Sequence, residues 1–358
     1  MVNIDDIVMD AHEKKASDIF IRGNSIPAMR IHGRIRATEY DSLTESDVRQ
    51  LAYSKMSGRQ VEEFERHHEM DLAFVVKDIC RIRCNVFMQR NMVGLVLRLI
   101  PLKILTLDEL GLPPVLSEFT KHSNGLVLVT GPTGSGKTTT LAAIIDLINS
   151  TRLVNIVTIE DPVEFVHPDK MAILSQREVG VDTDSFQEAL KRVLRQAPDV
   201  ILIGEMRDVE TMNVALQAAE TGHLVFATVH TASAAETLDR ISNMFAPHER
   251  PMLWLRLSGT LRGVVSQKLI PRPEGKGRAA ALEIMIVTPT ISKMIEEGKS
   301  DDMYSQIRQA GLETYWGMQT MNQCLVKFVK AGVIEESEAL ANAGNLAELR
   351  QLLHRKDH

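Results

Sequence analysis

The fold class that the sequence predicts is α/β, with a small α+β domain followed by a larger domain built on a mainly parallel sheet. The chain has 358 residues, which is enough for two domains of ordinary size. Within the first hundred residues, a helical pattern over residues 4–14, short stretches with strand alternation and two further helical stretches predict an α+β domain with an antiparallel sheet. Five later apolar runs, most of them separated by helical stretches, predict the parallel sheet.

Prolines and a change of pattern predict the domain boundaries. Residues 1–100 form the first domain, in which one helix begins after Thr44, a residue type that favours helix N-caps. Residues 101–113, "PLKILTLDELGLP", carry prolines at both ends and predict a linker. Residues 114–288 then form the core of the second domain, and residues 289–358 form a helical region attached to it.

Composition and charge exclude several classes of protein. Apolar residues make up 44% and charged residues 25%, which is a globular balance and not a disordered or collagenous one. The formal net charge of −6 does not indicate a nucleic-acid partner. Aromatic residues make up only 4%, too few to favour a platform on which bases stack.

Cysteine usage and hydropathy predict a cytoplasmic protein. The three cysteines, Cys80, Cys84 and Cys324, do not form a disulfide framework and are typical of a reducing compartment. Cys80 and Cys84 lie four residues apart in a predicted strand, which places both side chains on one face. The N-terminus is too polar for a signal peptide, and no apolar run approaches the ~18 residues of a membrane span.

The stretch "GPTGSGKTTT" between an apolar run and a helical pattern predicts a phosphate-binding loop. It matches G-x-x-x-x-G-K-[ST] at Gly131, Gly136, Lys137 and Thr138, and its strand-to-helix context is the one that the motif requires. Its backbone N–H groups and the helix N-terminus attract phosphate oxygens. We expect Lys137 to contact the β- and γ-phosphates of a nucleotide and Thr138 to hold Mg²⁺.

Carboxylates follow two other predicted strands. "DVILIGE" ends in Glu205, but Gly204 separates this acid from the apolar run, which favours action on Mg²⁺-bound water over simple ligation. "TIEDPVEFVH", residues 158–167, carries Glu160, Asp161 and Glu164, and one of these groups is a candidate proton acceptor. An acidic loop at a strand end is more often a solvated turn, so the stretch alone does not decide between these interpretations.

Histidines and arginines add further candidates. His223 and His230 lie at the two ends of the apolar run in "ETGHLVFATVHT"; each is either structural or a sensor of the γ-phosphate. Arg81 and Arg83 share one face of a predicted strand. They are either a solvated face or arginine fingers that reach the nucleotide site of a neighbouring subunit, which requires an oligomer.

Taken in order, these motifs make the chain resemble the secretion ATPase superfamily and, within it, the retraction ATPases of type IV pili (the PilT/PilU type). The similarity runs along nearly the whole chain. It is carried by "SDIFIRGNSIPAMRIHGRI", "RIRCNVFMQR", the phosphate loop, "TIEDPVEFVH", "SQREVGVDTDSF", "LRQAPDVILIGEMRD", "ETGHLVFATVHT", "EIMIVTP" and "GMQTMNQCL". The segments "DTDSF", "LRQAP", "PRPEGKGR" and "NLAELRQLL" are more similar to the accessory PilU-type branch than to the main PilT type.

The resemblance implies a homohexameric ring whose subunits have a PAS-like N-terminal domain, a linker and a RecA-like P-loop ATPase domain. It implies hydrolysis of ATP, with rings that dock on an inner-membrane platform protein from the cytoplasm and drive pilin subunits out of the pilus base. It implies that Glu164 is the general base, Glu205 the Walker B acid, His230 the end of a histidine box that starts at Thr221, and Arg81 and Arg83 the arginines of the N-terminal domain. The nucleotide-binding residues implied are Gly131, Pro132, Thr133, Gly134, Ser135, Gly136, Lys137, Thr138 and Thr139.

One segment departs from the main retraction type. After the "TP" of "EIMIVTP" that type has roughly Ala-Ile-Arg, whereas this chain has "TISKMIEEG" with Ser292 and Lys293. The departure favours an accessory role beside a paralogous retraction ATPase.

Three other interpretations compete with a retraction motor. Assembly or secretion motors of the superfamily usually have a larger N-terminal region and often a four-cysteine zinc site, which three badly spaced cysteines cannot supply. A nucleotide-dependent switch would bind ATP without useful turnover, and the acidic residues argue against it. A nucleic-acid translocase on the same fold lacks support from charge or aromatic content.

Overall fold

The computed structural model describes residues 3–31, 33–77, 79–275, 277–313 and 316–354. The chain divides into two compact units, Met1–Lys103 and Ile104–His358. The division falls within the segment 101–113 for which the sequence predicts a linker, and residues 104–113 group with the second unit. The first two and the last four residues of the predicted domains lie outside the described residues.

The first unit combines three helices with an antiparallel sheet. Polar side chains begin each helix: Asn3 caps α1, and the pairs Thr44/Asp47 and Ser57/Gln60 form capping boxes on α2 and α3. The cap predicted at Thr44 is therefore confirmed. In chain order the elements are α1 (Ile4–Glu13), β1 (Ala16–Arg22), β2 (Ala28–Ile31), β3 (Arg34–Ala37), α2 (Glu45–Tyr53), α3 (Gly58–His67), β4 (Glu69–Val76), β5 (Cys80–Gln89) and β6 (Met92–Pro101).

Strand alternation positions the core of this unit. Over the described residues the strand order is β3-β2-β1-β6-β5-β4, and every neighbouring pair is antiparallel, as predicted. Along β5 the side chains of Cys80, Ile82 and Cys84 are buried in the core, where α1, α2 and α3 pack. Burial raises the pKa of the Cys84 thiol to about 12. Arg81 and Arg83 alternate with them and therefore share the other face of the sheet.

The second unit alternates strands and helices. Its central strands are mostly apolar and almost entirely buried, because helices cover both faces of the sheet. In chain order the elements are α4 (Leu116–Phe119), β7 (Gly125–Thr130), α5 (Lys137–Thr151), β8 (Asn155–Glu160), β9 (Ile173–Glu178), α6 (Phe186–Val193), β10 (Val200–Ile203), α7 (Val209–Glu220), β11 (Leu224–Val229), α8 (Ala234–Met244), α9 (Arg250–Thr260), β12 (Leu261–Pro271), a 3₁₀ turn (Pro273–Gly275) and β13 (Arg278–Ile286).

The sheet of the second unit is mainly parallel, as predicted, but larger than predicted. In the part of the chain that the structure describes, the strand order is β13-β12-β7-β11-β10-β8-β9, and only the β12–β13 pair is antiparallel. The five predicted apolar runs are β7 to β11. The sequence analysis missed β12 and β13, a hairpin that extends the sheet beyond β7.

The C-terminal region is helical, as predicted. Thr288 caps α10, and the pair Thr320/Gln323 forms a capping box on α12. The buried side chains of α12 pack with those of β13, α13 and α14 in a separate cluster. The helices are α10 (Pro289–Glu296), α11 (Met303–Glu313), α12 (Met321–Lys330), α13 (Glu336–Asn342) and α14 (Leu346–His354). None of the helices among the described residues is both long and apolar enough to span a membrane.

Candidate active site

Strand register brings most of the predicted site residues of the second unit together. Ile159 pairs with Ile203, Ile203 with Ala227 and Val229 with Thr130, so four parallel strands end close together at one edge of the sheet. The residues that follow these strands therefore meet at the carboxyl edge of the sheet, where α/β proteins bind ligands. Glu160, Glu205, His230 and the phosphate loop (residues 131–139) all lie at this edge.

A cavity of about 310 Å³ lies between the phosphate loop and these strand ends. The residues from the phosphate loop and α5 provide one wall, and the acid loop (residues 161–167) and the ends of β8, β10 and β11 provide the other. The described residues that line the cavity are Thr133, Gly134, Lys137, Thr138, Leu141, Ala142, Glu160, Asp161, Pro162, Glu164, Phe165, His167, Phe186, Leu202, Gly204, Glu205, Arg207, Thr228 and His230.

The phosphate loop requires glycine at two positions where β12 lies close. Gly131 has φ +144°, and a Cβ there would lie 2.3 Å from the carbonyl oxygen of Gln267. Gly136 has φ +86°, and a Cβ there would lie 2.8 Å from Gln267 Nε2. The buried Gln267 amide donates to the Ser135 carbonyl oxygen at 2.7 Å and accepts from Thr140 Oγ1 at 2.7 Å. Gln267, which the sequence analysis did not single out, thus holds the loop against α5.

Lys137 is a buried cation at the start of α5. Its Nζ donates to the carbonyl oxygens of Gly131 at 2.8 Å and Pro132 at 3.0 Å. Burial lowers the pKa of Lys137, and the carboxylates of Glu205 and Glu164 oppose that shift. Among the described residues, the hydrogen-bond partners of the ammonium group are loop carbonyls, and phosphate oxygens would be stronger acceptors.

Glu205 lies at the centre of a charged group. Arg207 Nη2 donates to its Oε2 at 2.6 Å, and His230 Nε2 lies 3.2 Å from its Oε1. The Arg207 hydrogen bond is the main reason that the pKa of Glu205 is lowered, so the side chain is an anion at neutral pH. The sequence analysis missed Arg207, although it lies two residues after Glu205 in "GEMRD".

Gly204 explains why the acid does not directly follow the apolar run. A Cβ at this position would lie 3.2 Å from the Ile159 carbonyl oxygen and 3.3 Å from the Cα atom of Glu160. The strands are too close here for a side chain to fit without movement. The acid consequently stands one residue later, where the chain has left the sheet.

Glu160 is the most enclosed carboxylate of the cavity. It is 8% exposed, and it accepts from Thr158 Oγ1 at 2.6 Å and from Gln176 Nε2 at 3.1 Å. Burial raises the pKa of Glu160, and the two hydrogen bonds oppose that shift. Glu164 is half-buried and lines the same cavity, close enough to Lys137 to act on its pKa. Both candidate bases are thus placed beside the phosphate loop.

One predicted catalytic residue of the second unit does not reach this cavity. His223 precedes β11, at the opposite end from His230, and its Nδ1 lies 2.9 Å from the Ala218 carbonyl oxygen. It contributes nothing to the described cavity wall. Arg81 and Arg83 belong to the first unit, beside Arg98 of β6. Catalytic roles for these three residues stay predictions.

Comparison with known proteins shows the family of the chain. A family model described as "Type II/IV secretion system protein" matches residues 1–336. The chain belongs to this family. Among secretion proteins, the "Type IV pilus retractation ATPase PilT" of Pseudomonas aeruginosa is 45% identical over 342 residues, which cover 96% of this chain and 98% of that protein. The "Type IV pilus ATPase PilU" of the same organism is 40% identical over 341 residues, which cover 95% of this chain and 88% of that protein.

A solved structure of a secretion ATPase confirms the predicted fold class. The crystal structure titled as the pilus retraction motor PilT with bound ADP matches with a TM-score of 0.91 at 42% identity, covering 98% of this chain and 100% of that one. A RecA-like ATPase domain preceded by a smaller N-terminal domain is therefore the architecture of this secretion ATPase. The resemblance to the retraction ATPases of type IV pili is likewise confirmed.

Proposed function

We propose that this chain is a ring-forming motor that hydrolyses ATP to drive retraction of type IV pili. The observation that carries the proposal is the cavity that joins the phosphate loop to four carboxylates and two histidines. The loop can bind and orient the phosphates, and the carboxylates can accept a proton from water. Binding alone would need only the loop, so the acidic wall favours hydrolysis over a switch that merely binds nucleotide.

The direction of work comes from the relatives. The relative named a retraction ATPase covers almost the full chain at 45% identity, and the one named a PilU ATPase covers it at 40%. Because the identity to the PilT relative is the higher of the two, the comparison does not favour the accessory PilU-type branch. In the segment that departs from the main retraction type, Ser292 donates to the Ser258 carbonyl oxygen at 2.9 Å and Lys293 is exposed beside Glu296.

The donor set of the cavity fits a magnesium ion. Thr138 supplies a hydroxyl oxygen and Glu205 a carboxylate with a lowered pKa, and both line the cavity. Mg²⁺ favours such oxygen ligands together with phosphate oxygens and water. Bound there, the ion would neutralise charge on the phosphates. The chain itself supplies Lys137 to orient the phosphates, with Glu205 and His230 beside them. Glu160 or Glu164 is the group that takes the proton from the attacking water.

The assembly that we propose is a homohexamer that docks on an inner-membrane platform protein of the pilus machine from the cytoplasm. A ring would let Arg81 and Arg83 of one subunit act at the cavity of its neighbour, where a further cation would stabilise charge on the transferring phosphoryl group. Shared sites of this kind make activity depend on assembly.

Subunit mixing tests the shared site. Arg81→Ala/Arg83→Ala and Glu205→Gln should each be inactive, because one lacks the arginines and the other lacks the acid. Randomly mixed rings should regain activity, since about a quarter of their interfaces join an intact arginine donor to an intact cavity. The measurement is the ATPase rate per subunit of each variant and of the mixture, with light scattering to confirm assembly. A mixture as inactive as its components would contradict a shared site.

Complementation tests the direction of work. In piliated cells that lack both their retraction ATPase and its accessory paralogue, we expect this chain to restore twitching motility, and Lys137→Ala at equal expression to restore none. The measurement is the twitching zone, with the surface pilin level as a second readout. Restoration only when the resident retraction ATPase is present would replace the proposal with the accessory role.

A further inference from the structure

One side chain of β9 connects the two parts of the acidic wall. Gln176 lies beside Thr158 of β8 in the parallel register, so its carboxamide faces the end of the strand that carries Glu160. Nε2 donates to Glu160 Oε1 at 3.1 Å and to the Phe165 carbonyl oxygen at 2.8 Å. Oε1 accepts from the His167 backbone N–H at 2.8 Å. All three bonds have ordinary geometry and together use both ends of the amide.

The acid loop depends on side chains to hold its shape. Residues 161–167 form no helix or strand, so their backbone polar groups have no regular ladder to join. On one side of Glu164, the Val163 N–H donates to Glu178 Oε2 at 3.1 Å. On the other side, Gln176 bonds the backbone of Phe165 and His167. Glu164 therefore stands between two anchors, both of which come from β9.

Resting on the proposed hydrolysis of ATP, we propose that Gln176 is a positioning residue for it: its amide locks the Glu160 carboxylate and the backbone that follows Glu164 into one arrangement facing the phosphate loop. An uncharged amide suits this task, since it can donate to the carboxylate and to a carbonyl while accepting from an N–H. A base must lie within hydrogen-bond reach of the proton that it takes, and small displacements of such a group slow the reaction strongly.

The alternative is a purely structural role, in which Gln176 only satisfies backbone groups of the loop. The two roles differ in what a mutation changes. Loss of a positioning residue lowers kcat while the phosphate loop still binds nucleotide. Loss of a structural residue would lower nucleotide affinity, assembly and turnover together, because the loop packs against the same cavity.

The test compares Gln176→Met with Ser175→Ala. Met keeps the approximate length and volume of the side chain and removes all three hydrogen bonds. Ser175 is exposed and adjacent on β9, so its variant controls for disturbance of the strand. For each protein as the assembled full chain, kcat and KM for ATP are measured with the Kd for a fluorescent ADP and with light scattering.

We expect Gln176→Met to lower kcat about 10–100-fold, the range for partners that orient a reacting group. Its Kd for ADP and its assembly should match the wild type within about threefold, and Ser175→Ala should keep wild-type kcat. Wild-type kcat in Gln176→Met, a parallel loss of ADP binding, or an equal defect in Ser175→Ala would each overturn the positioning role alone. A wild-type protein without turnover would overturn the proposed function as well as this inference.

Discussion

Replacement of Lys137 by alanine should abolish ATP turnover and weaken nucleotide binding. Lys137 is the cation that the phosphate loop itself contributes to the cavity, and its Nζ donates to the carbonyl oxygens of Gly131 and Pro132. A charge-assisted hydrogen bond contributes about 1.5–3 kcal/mol, so nucleotide affinity should fall about 10–150-fold. Turnover should fall further, by at least about 10³-fold, because charge on the transferring phosphoryl group loses a fixed donor.

The measurement for Lys137→Ala is the Kd for ADP, together with the ATPase rate at saturating ATP. Lys170→Ala is the matched control: Lys170 is also a lysine near α5, but it bonds Asp146 at 2.7 Å and lies outside the described cavity wall. The control should bind and hydrolyse ATP like the wild type. Without nucleotide both variants should unfold near the wild-type temperature, whereas ADP should stabilise only the control. Wild-type affinity in Lys137→Ala would refute the assignment of the phosphate loop.

The phosphate loop and the strand-end acids were predictable because their signals are local. A glycine-rich turn between an apolar strand and a helix has a geometry that follows from short-range constraints, and parallel strands end at one edge whatever their order. The same rule bears on the histidines. His230 follows β11 and reaches the cavity, whereas His223 precedes the strand and lies at the amino edge. Strand direction alone would have separated these two candidates.

Residues that support the site from other strands were not predictable in this way. Gln267 reaches the phosphate loop because β12 pairs with β7 in the sheet, across more than a hundred residues of sequence. Gln176 reaches Glu160 only because β9 adds to the outer side of β8. Gln176 lies in the quoted stretch "SQREVGVDTDSF", but local pattern predicts only that a strand exists and not which strand it will join, so neither the contact of Gln176 nor that of Gln267 was predictable.

The assignment of catalytic arginines depends on assembly and not on the fold of one chain. Alternation along β5 places Arg81 and Arg83 together on the face opposite the core, as the sequence predicts. That face is a property of the first unit, while the nucleotide cavity is a property of the second. A measurement on assembled subunits is therefore needed to test whether the arginine face of one subunit acts at the cavity of another. Mixed rings provide this test, whereas the rates of single variants do not.

The variant Glu205→Gln should separate binding from hydrolysis. The Arg207 hydrogen bond and the neighbouring His230 lower the pKa of Glu205, and its carboxylate lines the cavity with the phosphate loop. Glutamine keeps the size of the side chain but removes the negative charge that suits the side chain to Mg²⁺ and its bound water. We expect kcat to fall about 10²–10³-fold, the usual cost of removing one fixed electrostatic group from an active site, while the Kd for ADP stays within about threefold.

Glu210→Gln provides the matched control for this loss of charge. Glu210 lies five residues later on α7, pairs with Lys191 at 3.1 Å and is outside the described cavity wall, so its variant should keep wild-type kcat. The contrast with Lys137→Ala then separates the two roles. Lys137→Ala should lose nucleotide binding and turnover, whereas Glu205→Gln should lose turnover alone. If Glu205→Gln hydrolyses ATP at the wild-type rate, the acidic wall is not catalytic, and a nucleotide-binding switch explains the cavity better than a motor does.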